Sequence, residues 1–246
     1  MKDLQEKKVL EILETQKFAT VQELSTTLSV SSSTIRRVLD SLQVKGLVTR
    51  THGGVKINKD NNFSPSFTFR IHQNSFEKKK IALSAIKLIK DGDIIFLDGS
   101  TSAFYIAEYL KEFKNISVVT NGIDTLSLLS KQNILSYSTG GQVSHKNPSV
   151  LVGRYAEDTL SNFRADIAFF STQSMDNDGE LYDCFEDEIF LRRAMIKNAK
   201  TKVFLCDNTK IGRTSPYHLC SIQDVDYVAS NQPLPDFVPR EKCLIL

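Results

Sequence analysis

Apolar residues recur along this chain with a helical period at first and in short β-type runs later. In the first part Val9, Ile12 and Leu13 share one face of a helix over residues 4–16. Val21, Leu24 and Leu28 then fall at i, i+3 and i+7. Thr20 precedes them and Glu23 follows three residues later, the spacing of a capping box. Residues 28–31 read as a turn, and Ser31 or Ser32 is placed to cap a second helix. Its buried stripe is Ile35, Val38, Leu39 and Leu42, which leaves Ser33, Arg36, Arg37 and Asp40 on other faces. Gly46 is suited to end that helix in the left-handed conformation. Residues 47–50 and 55–57 predict two short strands around Gly53-Gly54, a hairpin turn.

Beyond residue 76 the pattern changes. Short apolar runs rich in β-branched and aromatic residues, at 94–97, 116–119, 134–138, 166–170 and 202–206, predict strands. Residues 225–229 and 243–246 predict a sixth and an edge strand. Amphipathic helices are expected at 77–90, from 101 to about 113, and from 122 to 130. Strands alternating with helices indicate an α/β domain with a mainly parallel sheet. The predicted organisation is a winged helix-turn-helix over 1–57, a linker over 58–75 and an α/β domain over 76–246. The linker composition is polar and turn-forming, yet it holds Phe63, Phe67 and Phe69, which are expected to dock on one of the domains.

Charge sharpens this division. Net charge is only +2, but residues 1–56 hold nine Lys/Arg against six Asp/Glu and residues 57–80 hold five against two, so the remainder is negative. The excess sits where a polyanion would bind. No apolar run approaches the ~20 residues that span a bilayer, and the charged start lacks the apolar core of a signal peptide. The expected location is the cytoplasm. Cys184, Cys206, Cys220 and Cys243 form no CxxC pair and read as reduced thiols in or near a core. The four histidines are isolated, and neither metal nor cofactor is predicted.

The chemistry follows from placement. Arg36 and Arg37, near the start of a solvent-facing helix, suit phosphate pairing and guanine recognition in the major groove of double-stranded DNA. Ser33 and Thr34 on that helix, with Arg50, His52 and Lys56 on the hairpin, are expected to assist on the DNA backbone. In open α/β sheets, ligands bind beyond the carboxyl ends of the strands. There this chain places Asp98-Gly99-Ser100-Thr101, Asn121, Gly140-Gly141, Ser171-Thr172-Gln173-Ser174 and Lys210. A strand–Gly-Ser-Thr–helix junction favours an anion, and hydroxyls, an amide and one lysine suit a phosphorylated polyol. Asp98, Gly99, Ser100, Thr101, Asn121, Gly140, Gly141 and Lys210 are the candidate effector residues.

The chain resembles the DeoR family of transcriptional regulators over nearly its whole length. The resemblance is carried first by Val30-Ser31, Thr34-Ile35-Arg36-Arg37, Leu39, Leu42, Gly46, Arg50 and His52-Gly53-Gly54. It is carried again by Glu77-Lys78, Ile81-Ala82, Asp98 to Thr101, Val118 to Asn121, Gly140-Gly141, and Asp207 with Lys210 and Gly212. It implies a sensor domain similar to ribose-phosphate isomerase and CoA-transferase-like folds. It also implies repression of a sugar-use operon relieved by a phosphorylated sugar, and homo-oligomers on repeated operator sites. The sequence departs from the family pattern in three places. Val38 stands where aspartate is common after the arginine pair. Residues 171–175 replace a usual glycine-rich loop, so side chains are expected where bare backbone would meet a ligand. Ser230-Asn231 replaces a usual threonine–aspartate. The competing readings are a sugar-phosphate isomerase-like enzyme with a DNA-binding appendage, for which Asp98 and Asp207 are available carboxylates, and a regulator that has lost its effector. A ligand response needs two states of different affinity, and the segment 58–76 is the expected bistable element.

Overall fold

The computed structural model describes residues 2–44, 47–51, 53–57 and 66–245. The expectations for Gly46, His52, Phe63 and the first part of the linker lie outside them. The chain divides into two compact units, Met1–His72 and Gln73–Leu246.

The first unit orders as α1 (Lys2–Gln16), β1 (Phe18–Ala19), α2 (Val21–Leu28), α3 (Ser32–Val44), β2 (Val48–Thr51), β3 (Gly54–Ile57) and α4 (Phe67–His72). The capping box forms: Thr20 Oγ1 accepts from Glu23 N at 3.1 Å and Thr20 N donates to Glu23 Oε2 at 2.7 Å. These bonds hold the Glu23 carboxyl below its ordinary value. Ser31, not Ser32, caps α3, its Oγ accepting from Thr34 N. Ile35, Val38, Leu39 and Leu42 are buried together with Val9, Leu13, Leu24, Val48 and Val55, so Val38 belongs to the core stripe. The strands pair in the order β1-β3-β2. β1 has too few residues to show alternation, and it crosses so close to Gly54 that a Cβ there would lie 2.3 Å from the Phe18 ring. The end of the expected linker is helical, as α4, and Phe67 is buried.

The second unit continues with α5 (Ser75–Ala85), β4 (Ile94–Leu97), α6 (Thr101–Ala107), β5 (Ser117–Thr120), α7 (Ile123–Lys131), β6 (Leu135–Ser138), β7 (Gln142–Val143) and β8 (Leu151–Val152). It is completed by α8 (Arg154–Ser161), β9 (Ala165–Phe170), β10 (Ser174–Met175), β11 (Glu180–Asp183), α9 (Glu186–Lys197), β12 (Ala199–Cys206), β13 (Tyr217–Ser221), β14 (Tyr227–Ser230) and β15 (Cys243–Ile245). Seven strands form a parallel sheet in the order β15-β14-β12-β9-β4-β5-β6. Its inner strands are covered on both faces, which is why they read as unbroken apolar runs rather than alternating ones. Phe96, Val119 and Ala168 pack with Ala156 and Leu160 of α8 and Leu191 and Met195 of α9. Their neighbours Ile95, Leu97 and Val118 point to the opposite face, where α5, α6 and α7 contact the strands. Helices α5 and α6 are shorter than expected, each giving way to a 3-10 turn, Ile86–Leu88 and Leu110–Glu112. The antiparallel sheet β10-β11-β13 and the β7–β8 hairpin were not expected.

Candidate functional site

On α3, burial of Ile35, Val38, Leu39 and Leu42 fixes what faces outward at 100° per residue. Ser33, Arg37 and Asp40 lie opposite that stripe, and Arg36 lies to one side. All four are exposed. Ser31 Oγ lies 2.9 Å from both Ser33 Oγ and Thr34 Oγ1, a small hydroxyl cluster at the helix start. Lys56 is exposed on β3. Arg50 departs from expectation. Its guanidinium donates to the Arg36 carbonyl at 3.0 Å and pairs with Asp40 at 2.8 Å. It folds back because these two acceptors on α3 lie within its reach, so it ties the wing to the recognition helix rather than standing free.

In the second unit, chain order along the sheet reverses between β4 and β9. Strands β4, β5 and β6 run one way from that seam, and β9, β12, β14 and β15 the other. This reversal is where open α/β sheets leave a ligand crevice. The loops that end there are 98–101 and 171–174. Lys210 reaches the same place from β12: its Nζ donates to Ser171 Oγ at 2.5 Å and to Thr172 O at 2.6 Å. An ammonium has three donors, and two of them are used here. Ser171 Oγ in turn donates to Leu205 O. Ser100 caps α6 by accepting from Ala103 N, and Thr101 and Ser102 are buried.

Other candidates make contacts within the fold. Val150 packs against Gly99, and a Cβ there would lie 2.3 Å from Val150 Cγ1. Asn121 holds the β7–β8 hairpin in place, its Nδ2 donating to Leu151 O and its carbonyl accepting from Leu151 N. Its buried Oδ1 has no hydrogen-bond partner among the described residues. Gly140 and Gly141 form a turn after the edge strand, with φ of 65° and 92°. β6 lies four strands from β12, roughly 19 Å at the usual strand spacing, too far for one monosaccharide phosphate to touch Gly140 and the end of β12 together. The side chains of residues 171–174 also differ from expectation. Ser171, Thr172 and Ser174 are buried and bonded inward, and only Gln173 is exposed.

The sequence reading missed the centre of this region. Arg192 of α9 lies beneath the seam, 5% exposed. Its Nε donates to Asp98 Oδ2 at 2.9 Å, Nη1 faces Asp183 Oδ2 at 3.0 Å, and Nη2 donates to Glu188 Oε2 at 2.9 Å. Burial works against the guanidinium charge, but Asp183, then Asp98 and Glu188, outweigh it and hold the pKa above its ordinary value. Asp98 Oδ1 accepts from Ser100 N and Oδ2 from Ser171 N, so this carboxylate joins the two loops of the seam. Asn147 Nδ2 donates to Glu188 Oε1, and Ser144 Oγ to Asp187 Oδ2, which anchors the tip of the hairpin on the start of α9. The signal was present: Arg192 lies four residues after Glu188, among Ile189, Leu191 and Met195, and a charge on an apolar stripe has to be paired.

Residues 6–61 match the model of the DeoR-like helix-turn-helix domain and residues 73–232 that of the DeoR C-terminal sensor domain. An HTH-type transcriptional regulator of Bacillus subtilis is 33% identical over 230 residues, 93% of this chain and 88% of that protein. The L-fucose operon activator of Haemophilus influenzae is 32% identical, covering 93% of this chain and 91% of its own. The glycerol-3-phosphate regulon repressor of Escherichia coli is 29% identical, covering 92% and 90%. Among solved structures, ribose 5-phosphate isomerase A of Methanocaldococcus jannaschii overlays 56% of this chain and 55% of its own, with a TM-score of 0.42 and 20% identity.

Proposed function

The chain belongs to the DeoR family of transcriptional regulators, and from that premise we propose that it is a cytoplasmic repressor of a sugar-metabolism operon. In this reading it binds double-stranded operator DNA as a homo-oligomer and responds to a phosphorylated sugar. Arg36 and Arg37 make the leading DNA contacts, with Ser33, Thr34 and Lys56 beside them. The observation that carries the effector reading is Lys210 at the seam between β4 and β9, its ammonium held by Ser171 and Thr172 with one donor left over. A phosphate takes that donor, and the hydroxyls of a polyol suit the small polar groups of the same loops.

Binding without turnover is the reading we favour. Isomerisation needs a carboxylate free to take a proton. Each oxygen of Asp98, Asp183 and Glu188 already faces a donor: the Arg192 guanidinium, a backbone N–H or the Asn147 amide. Asp207, the other carboxylate considered, caps the turn 208–210, its Oδ1 accepting from Thr209 N and Thr209 Oγ1.

The test is calorimetry with a panel of sugar phosphates and their free sugars, followed by operator titrations with and without the best binder. A phosphorylated compound should bind and lower operator affinity, and its free sugar should do so weakly. Lys210→Ala should weaken the ligand response and leave DNA binding without ligand unchanged. The reading falls if no phosphorylated compound binds, or if Lys210→Ala binds it as tightly as the parent.

A further inference from the structure

The parallel sheet ends in two edges, and they differ. β15 is entered directly from Arg240, Glu241 and Lys242. β6 has no such guard: residues 132–141 contain no charged side chain and no proline, and the β5–β6 register runs without a bulge. Those are the devices that keep an exposed edge from pairing with another strand. Leu135 and Tyr137, alternate residues on one face of β6, are 59% and 41% exposed. Phe163, just beyond α8, packs on this face. The Tyr137 ring is 5.1 Å from that of Phe163, and a Cβ at Gly141 would lie 3.0 Å from Ala156 Cβ. Ile123 is exposed on α7, which packs on β6, and Val143 and Tyr155 are exposed on β7 and α8, which follow it. With Leu135 and Tyr137 they make up more than half of the large apolar side chains exposed among the described residues of this unit.

We infer that β6 is where two copies of this chain join, strand against strand and antiparallel, about a two-fold axis through Ser136. The occupant has to be a strand, because what β6 offers is a row of backbone donors and acceptors. A second β6 fits that row by its own sequence. With the axis at Ser136, Leu135 of each copy meets Tyr137 of the other, an apolar–aromatic cross-strand pair. Ile134 meets Ser138, and Lys131, the nearest charge before the strand, meets Gly141, so no like charges oppose each other. An axis on a residue is compatible with either kind of antiparallel pair. Four strand residues alone fall short of the roughly 800 Å² per partner of a stable interface, and the flanking apolar side chains supply further area. Such an isologous contact closes at two copies. The inference rests on the homo-oligomer of the reading above and assigns it a surface.

The experiment is light scattering on the full-length protein at tens of micromolar, on Leu135→Lys/Tyr137→Lys, and on Leu83→Lys at an exposed position of α5. The parent should be an assembly, the double variant should have at most half its mass, and Leu83→Lys should match the parent. In parallel, oxidised Ser136→Cys should give an inter-chain disulfide that mass spectrometry maps to 136 in both copies. This second arm decides the matter if the double variant fails to fold. An assembled parent whose mass survives both lysines overturns this surface, as does absence of the 136–136 cross-link. A monomeric parent overturns the homo-oligomer reading itself.

Discussion

The two units use arginine in opposite ways. Arg37 on α3 is exposed, and its guanidinium has no partner among the described residues. Arg192 on α9 is buried, with a carboxylate on each of its three nitrogens. A free surface cation keeps its hydration until a polyanion displaces it, so it contributes to recognition and little to stability. A buried cation has lost its water and stands only because its partners surround it. The first is therefore replaceable without harm to the fold, and the second is not. In the function proposed above, that difference separates the surface assigned to DNA from the framework that shapes the candidate ligand crevice.

The sharpest way to break this comparison is Arg192→Met. It leaves Asp98, Asp183 and Glu188 buried without their common counter-charge, and breaking a buried pair in this way costs about 3–5 kcal/mol. The denaturant midpoint of the second unit should fall accordingly. Arg192→Lys should be intermediate, since it keeps the charge but not the planar fork that faces three carboxylates. An unchanged midpoint in Arg192→Met would show that the cluster does not hold the seam together.

The same contrast explains what could be read from sequence. In the first unit the determining contacts are short in sequence. Thr20 caps Glu23 three residues on, and Ser31 caps Thr34. Periodicity and capping residues therefore predict α2 and α3 directly. In the second unit the strands were legible because apolar runs mark a sheet covered on both faces. The site was not, because it is closed by contacts between residues 73 and 94 positions apart, Asp98 with Ser171 and with Arg192. No local window shows those pairs. Small polar residues at strand ends pointed to the edge of the sheet where the candidate site lies. They did not reveal that Val150 covers Gly99 or that Asn121 holds a hairpin, because the two-residue strands β7 and β8 leave no period to detect. Arg50 shows the same limit at shorter range. Its place on the wing was predicted, but its partner Asp40 was read only as a surface residue.

On the DNA side, Arg37→Ala and Arg36→Ala should each weaken specific operator binding by about 1–3 kcal/mol with the fold intact. Fluorescence anisotropy at fixed salt measures this, and full operator affinity in both variants would remove the arginines from the interface. Thr20→Ala is expected to lower the stability of the first unit by about 1 kcal/mol, the usual worth of an N-cap, with no change in the second. A thermal melt that shifts the second unit instead would contradict the separation of the two.

The smallest effect should come from Asp40→Ala, and it tests whether Arg50 is structural or recognising. The Asp40–Arg50 pair is exposed, with side-chain accessibilities of 61% and 38%, so its loss should cost the first unit only about 0.2–1 kcal/mol. A double-mutant cycle with Arg50→Ala isolates that coupling. DNA binding should move the other way. Removing the carboxylate takes a negative charge off the outward face of α3 and frees Arg50 for a phosphate. The slope of log affinity against log salt should then steepen by about one contact. In the parent the slope should reflect Arg36, Arg37 and Lys56 without Arg50. If Asp40→Ala leaves the slope unchanged while Arg50→Ala flattens it in the parent, Arg50 already leaves Asp40 to meet DNA. The wing would then be held to α3 by packing around Val48 and Val55 alone.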